Sequence, residues 1–123
     1  VSVEIETDAQ VRVPMDKRLM SYALRNLLRN AGKYAREQVA ISLAIRHGNV
    51  VLAVEDDGNG VASAERERIF EAFVRLDRNT GGYGLGLAIT RQVLRAHNGR
   101  IVATDPHRLP GARFEVSWPA GLR

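Results

Sequence analysis

Asn26, Asn30, Lys33 and Tyr34 are the residues whose types and spacing most directly suggest chemistry in this chain. If their segment is helical, steps of about 100° per residue gather them into one narrow polar stripe. Asparagine is a mediocre helix former, so two of them one turn apart in a helix interior need a reason. An amide oxygen is a hard, neutral ligand suited to Mg2+, which keeps waters and phosphate oxygens in the rest of its shell. Lys33 can touch a phosphate as a point charge. The plainer alternative is that the amides bond water or neighbouring backbone.

Two glycine-bearing segments carry complementary chemistry. Gly82-Tyr83-Gly84-Leu85-Gly86-Leu87 runs into an apolar pattern in which Leu85, Ala88, Ile89, Val93 and Ala96 share a helical face. Glycines at a helix entrance let backbone N–H groups approach an anion, and the helix N-terminus adds unpaired donors and partial positive charge. A phosphate-bearing ligand is the natural guest, although the spacing is not that of a Rossmann fingerprint and no Gly-x-x-x-x-Gly-Lys-Ser/Thr occurs. Upstream, Glu55-Asp56-Asp57-Gly58-Asn59-Gly60-Val61 follows an apolar strand pattern. A carboxylate at a strand end can accept from an exocyclic amine such as that of adenine. Flanking glycines let a flat ring lie close to backbone. An acidic turn is the alternative, and a calcium loop is excluded because the later acidic ligands are not at the required spacing.

Between these segments, Phe70 and Phe73 share a helical face and read as core anchors. Arg75 follows, able to reach a terminal phosphate or to serve as a surface charge. His47 sits in a hairpin turn, His97 near a helix end and His107 beside Pro106. All three read as solvated or weakly packed, and no pair has metal-ligand spacing. Phe114 and Trp118 read as core.

The elements that must position these groups follow from pattern. Val1–Thr7 alternates as a strand, and Val11-Arg12-Val13 is a short extended piece ended by Pro14. Asp16 caps a helix from Lys17 to about Ala35, with Leu24, Leu28, Ala31 and Ala35 toward the core and Arg18, Arg25, Arg29 and Arg36 toward solvent. Val39–Arg46 and Val50–Glu55 form a hairpin around His47-Gly48-Asn49. A short helix spans Ala64–Phe73, Arg75–Tyr83 is polar and glycine-rich, and a helix from about Leu85 to Ala96 ends at Asn98-Gly99. Two strands close the chain, Arg100–Thr104 and Ala112–Trp118. The expected class is α+β, a sheet covered on one face by helices.

Composition fits one soluble domain spanning 1–123, with 45% hydrophobic and 26% charged residues. The absence of cysteine removes disulfides and thiolate metal sites. There is no run of about 18 apolar residues and no signal peptide, so no direct membrane contact is expected. The net charge is +4, but the basic residues are scattered or solvated and aromatics are few. No nucleic-acid partner is expected, and the arginine stripe reads as a solvated face or a docking surface for an acidic partner.

The series Asn26–Tyr34, Asp56–Gly60, Ile69–Phe73 and Gly82–Leu87 resembles the N box, first glycine box, F box and second glycine box of bacterial sensor histidine kinase catalytic domains, within the GHKL ATPase superfamily. Any one box is weak; four in this order across nearly the whole chain are specific. Gly111-Ala112-Arg113-Phe114 is similar to the start of the family's last strand. The resemblance implies the Bergerat fold, a two-layer sandwich of a mixed sheet of about five strands covered on one face by three helices. It implies ATP and Mg2+ as ligands: Asn30 on the metal, Asn26 lining the phosphate side, Lys33 on phosphate, Tyr34 on adenine and Asp56 accepting the adenine amino hydrogen. Gly58 and Gly60 would shape the pocket, Gly84 and Gly86 would cradle phosphates, and Val61, Phe70, Gly82, Tyr83, Leu85 and Leu87 would complete the nucleotide-binding set. Asn26, Asn30, Lys33 and Arg75 would carry the transfer, and Arg75–Tyr83 would be the ATP lid.

Gyrase and MutL-type members place a water-activating glutamate where this chain has Asn26, which is no general base. The resemblance therefore implies γ-phosphoryl transfer to a histidine rather than rapid hydrolysis. Tyr83 is bulkier than the family's usual residue there, and Ala112-Arg113 lacks the usual hydroxyl. None of the three histidines has the acidic neighbour of a phosphoacceptor, so the acceptor belongs to a dimerisation domain expected before Val1. The implied setting is the cytoplasmic part of an inner-membrane-anchored kinase, homodimeric when complete and monomeric as this fragment, relaying phosphate to a response-regulator aspartate. A serine kinase of anti-sigma type and a degenerate nucleotide-binding module are the alternatives.

Overall fold

The computed structural model describes the backbone of residues 2–7, and residues 15–71 and 86–121 in full. The apolar alternations become strands β1 (Ser2–Thr7), β2 (Gln38–Arg46), β3 (Asn49–Asp56), β4 (Arg100–Thr104) and β5 (Arg113–Pro119). The 3.6-residue patterns become helices α1 (Lys17–Tyr34) and α2 (Gly86–Ala96). The strands form one sheet of order β1-β2-β3-β5-β4. It is mixed because α1 lies between β1 and β2 in the chain, and these two strands run parallel with Ser2 opposite Gln38. The other neighbours are antiparallel: Arg46 lies opposite Asn49, Asn49 opposite Pro119, and Arg100 opposite Ser117. The tight β2–β3 turn places both His47 (φ 52) and Gly48 (φ 78) in the left-handed region, the conformation whose twist suits a two-residue hairpin loop.

Alternation along the strands sends Val39, Val50, Val54, Phe114, Val116 and Trp118 to the core. They meet Met20, Ala23, Leu27 and Ala31 of α1 and Val93 and Leu94 of α2. Asp16 caps α1 by accepting from Leu19 N–H at 3.0 Å. The buried stripe of α1 differs from the expected one. Leu24 only flanks the core and Leu28 is 43% exposed. The helix packs on α2 as well as on the sheet, which turns its buried face toward the polar stripe and away from Leu28. Arg18, Arg25 and Arg29 are exposed as expected.

In α2 the buried face is Thr90, Val93 and Leu94, while Ala96 is exposed. The apolar pattern pointed one position aside because it discounted Thr90. That hydroxyl hides its polarity by donating to Gly86 O at 2.8 Å. The helix ends as Asn98-Gly99 suggested: Asn98 is left-handed (φ 58), Gly99 N–H donates to Leu94 O at 2.7 Å, and Asn98 N–H to Arg95 O at 3.0 Å.

The segment expected as a helix over Ala64–Phe73 is instead two 3-10 turns, Ser63–Glu65 and Arg68–Phe70, up to Glu71, where description stops. They deliver the adjacent pair Ile69 and Phe70 into the core, where Phe70 meets Phe114 edge-on at 6.2 Å and 84°. The helical layer among the described residues is thus α1, α2 and these two turns. Val11–Val13, Phe73 and the segment Arg75–Tyr83 lie outside the described residues. No helix of the described residues is long and apolar enough to cross a membrane.

Candidate functional site

Asp56 ends β3, facing the helical layer, and is 1% exposed. Its Oδ1 accepts from Gly58 N–H at 2.8 Å and from Ala112 N–H at 3.3 Å. Its backbone donates to Ala112 O and accepts from Gly111 N–H, each at 3.0 Å. Burial pushes the Asp56 carboxyl above the ordinary value of 3.8; the two amide hydrogen bonds oppose this, and the charge of Asp57 adds to it. Both hydrogen bonds fall on Oδ1, so Oδ2 is the atom left for a ligand among the described residues.

The close approach of three chain segments explains the glycines here. A Cβ on Gly58 would lie 2.2 Å from Tyr34 O, so the space this glycine provides is taken by the end of α1 rather than by a ring. A Cβ on Gly111 would lie 2.4 Å from Asp56 O and 2.5 Å from its Oδ1. Gly60 has φ +76 and is needed for its backbone.

Asp57 points away and fastens the chain between α1 and β2. It accepts from Arg36 N–H at 2.7 Å and from Glu37 N–H at 3.2 Å. Desolvation acts upward on this carboxyl, but amide hydrogen bonds from Glu37, Arg36 and Gln38 outweigh it and hold the group below its ordinary range. Arg36, expected in the solvated stripe, also donates to Asn59 Oδ1 at 2.8 Å. On the opposite face of the sheet, Glu55 Oε1 accepts from the backbone of His107 and Arg108 at 2.5 and 3.0 Å.

Asn30, Tyr34, Asp56, Asn59, Gly60, Val61, Ala112 and Phe114 line one hollow of about 120 Å3. It joins a buried acceptor, an aromatic ring, an apolar wall and a side-chain amide. Such a set can recognise a planar ring carrying an amine, with polar atoms leaving toward Asn30. Lys33 stands outside the lining, exposed, with Nζ 5.6 Å from the Tyr34 ring centroid. Asn26 lies beneath the start of α2: a Cβ on Gly86 would be 3.8 Å from its Cγ. Its Nδ2 is shielded and has no hydrogen-bond partner among the described residues.

Two expected nucleotide-binding side chains, Phe70 and Leu87, are not among the residues that line the hollow. Phe70 is buried edge-on against Phe114, which does line the hollow, and Leu87 packs against the core. Arg75, Gly82, Tyr83, Gly84 and Leu85 lie outside the described residues. Sequence reading missed Asn59, Ala112 and Phe114 as lining and Gly111 as a steric requirement. The signal for Gly111 was its place two residues before a strand paired with the Asp56 strand. His97, read as weakly packed, uses both ring nitrogens: Nε2 accepts from Asp16 N–H at 2.9 Å and Nδ1 lies 2.8 Å from Val93 O. The neutral tautomer with the proton on Nδ1 satisfies both contacts.

Residues 15–122 match the family model described as histidine kinase-, DNA gyrase B-, and HSP90-like ATPase. The chain is 50% identical over 109 residues to Sensor protein RstB of Escherichia coli, covering 85% of this chain and 25% of that protein. It thus spans about a quarter of the length of that relative. Among solved structures it is similar to the mycobacterial sensor histidine kinase MprB, with a TM-score of 0.77, 31% identity, and coverage of 95% of this chain and 81% of that one. It is also similar to full-length ShkA solved in complex with AMPPNP, with a TM-score of 0.80, 32% identity, and coverage of 95% and 25%.

Proposed function

The chain belongs to the histidine kinase-, DNA gyrase B-, and HSP90-like ATPase family, and from that premise we propose that residues 1–123 are the catalytic ATP-binding domain of a sensor histidine kinase. The domain binds Mg·ATP and gives the γ-phosphoryl group to a histidine on a separate dimerisation domain, for relay to a response-regulator aspartate. The observation that carries this reading is that Asn30 and Asp56, 26 residues apart in sequence on different elements, open onto one hollow. Structural likeness to a kinase solved with AMPPNP supports the same ligand.

In this reading Asp56 Oδ2 accepts the adenine amino hydrogen, Tyr34 and Val61 cover the ring, and Gly60 lines the hollow beside it. Asn30 leads from the base toward the phosphates, which meet Lys33 and the N–H groups at the start of α2. The donor set fits Mg2+ on that side: the Asn30 amide oxygen would hold it, and the ion would neutralise charge on the phosphates. Asn26 lies beside Gly86 at the start of α2, and its shielded Nδ2 has no partner among the described residues, which supports a role in donating to a phosphate oxygen. Asn26 cannot take a proton from water, so the site keeps ATP for an incoming nucleophile and contributes positioning and charge rather than covalent chemistry. The family resemblance assigns the lid to Arg75–Tyr83, which lie outside the described residues. The setting is a cytoplasmic domain of a membrane-anchored homodimeric kinase, with the acceptor domain and the response regulator as partners.

The test joins the chain to a histidine-bearing dimerisation domain and adds labelled Mg·ATP. Acid-labile phosphohistidine, lost on Asn30→Asp, is the expected product. Hydrolysis without transfer, or a phosphoserine product, would overturn the assignment. For the chain alone, Mg·AMPPNP at about 100 times Kd is expected to add about 2.7 kcal/mol of stability.

A further inference from the structure

Four arginines converge on a cleft away from the Asp56 hollow. Arg91 and Arg95, one turn apart on α2, meet Arg100 at the start of β4 and Arg66 between the two 3-10 turns, around a space of about 130 Å3. The floor is apolar, formed by Phe70 and Ile101, which are buried. Several arginines elsewhere pair with the chain's own oxygens: Arg36 with Asn59, Arg68 with Glu65 and Arg113 with Glu115. Arg91, Arg95 and Arg100 have no ion pair among the described residues. The Nε atoms of Arg66 and Arg91 are shielded from solvent without any hydrogen-bond partner among those residues. A shielded N–H of a cation is costly until an acceptor reaches it.

We propose that this cleft is a docking site for an extended acidic polypeptide segment of a partner protein, whose carboxylate enters between Arg66 and Arg91. The chemistry suits a carboxylate. A guanidinium offers Nε and one Nη side by side, a fork that matches two carboxylate oxygens. Arg66 already shows the preference, pairing through Nη2 with Asp105 at 2.8 Å. The Asp105 side chain is 86% exposed, so it is free to yield. The apolar floor suits the methylenes of a glutamate stem. No exposed aromatic among the described lining residues can stack a base, which disfavours a nucleic acid. β4 is an edge strand of the sheet, so the main chain of the segment can run alongside it. The proposal uses none of the groups assigned to the nucleotide and stands or falls apart from that reading.

The test titrates the chain with a fluorescein-labelled decapeptide of alternating Glu and Ala, and with its Gln counterpart, following anisotropy. The Glu peptide is expected to bind about tenfold more tightly than the Gln peptide, as two charge-assisted hydrogen bonds suggest. The double variant Arg91→Gln/Arg95→Gln removes that advantage, whereas Arg18→Gln/Arg25→Gln, with the same loss of charge on the α1 stripe, keeps it. In the parent chain the Arg91 Nε–H resonance shifts on adding the Glu peptide and not the Gln peptide, a readout that survives even if the double variant folds poorly. Equal losses in both double variants, or an unmoved Arg91 resonance, would overturn the proposal. So would tighter binding of a single-stranded oligonucleotide or inorganic phosphate through the same two arginines.

Discussion

Replacing Asp56 with Asn tests the base-recognition end of the site while leaving its scaffold in place. Oδ1 carries both amide hydrogen bonds, from Gly58 and Ala112. The asparagine oxygen inherits them, which fixes Nδ2 where Oδ2 stood. The fold loses a buried carboxyl already pushed upward by desolvation, so denaturant stability is expected to hold or rise. Adenine recognition is expected to fail, because a donor now faces the adenine amino group. A hydrogen bond to a charged acceptor is worth about 1.5–3 kcal/mol, which is roughly ten- to hundredfold in affinity. Calorimetric titration with Mg·ADP in parent and variant measures the loss. Mg·IDP is the control: inosine presents an oxygen where adenine presents the amine, so the variant is expected to bind it better relative to ADP than the parent does. Equal losses for both nucleotides, or none for either, would refute the reasoning. The same geometry sets the pH dependence. The binding form of Asp56 is ionised, so ADP affinity in the parent falls as pH drops through the raised pKa, above 3.8, while the Asn variant lacks that step.

Gly111→Ala forces a Cβ to within 2.4–2.6 Å of Asp56 and Gly58; overpacking of this kind costs about 1–3 kcal/mol. Urea denaturation together with ADP titration is expected to show stability and affinity falling in one variant. Asp57→Asn lowers the melting temperature at neutral pH, because a carboxyl held below 3.8 contributes stability above that value and loses it as pH falls through the lowered pKa. The gap between parent and variant is therefore expected to close on acidification, and a gap constant down to pH 2 would contradict the amide contacts. His97→Ala removes the acceptor of Asp16 N–H and the partner of Val93 O, and is expected to lower stability by about 1 kcal/mol in urea denaturation with ADP binding unchanged.

Local rules made most of the fold legible. The hairpin was visible from His47-Gly48-Asn49 between apolar runs, the start of α1 from Asp16, and the end of α2 from Asn98-Gly99, because each is settled by a few adjacent residues. The rotation of α1 that exposes Leu28 was not visible, since it depends on where α2 lies. Thr90 escaped because its burial requires a hydrogen bond within the helix that no hydropathy scale counts. The 3-10 turns before Glu71 replaced a helix because burial of adjacent Ile69 and Phe70 decides that stretch. Of the residues lining the hollow, Asn30, Tyr34, Asp56 and Gly60 were singled out by type and spacing and Val61 by the family resemblance. Gly111 and His97 were missed for a shared reason: their partners are 55 and 81 residues away, at Asp56 and Asp16.

Neighbouring Glu55 and Asp56 leave the end of β3 in opposite directions, and each seizes the connection between β4 and β5, one at His107 and Arg108, the other at Gly111 and Ala112. The strand tip works as a rivet with a head on either side of the sheet. From that geometry a displacement of one head is expected to reach the other. A fluorescent reporter attached at exposed His107, on the reverse side of the sheet, can therefore register occupancy of the hollow without standing in its way.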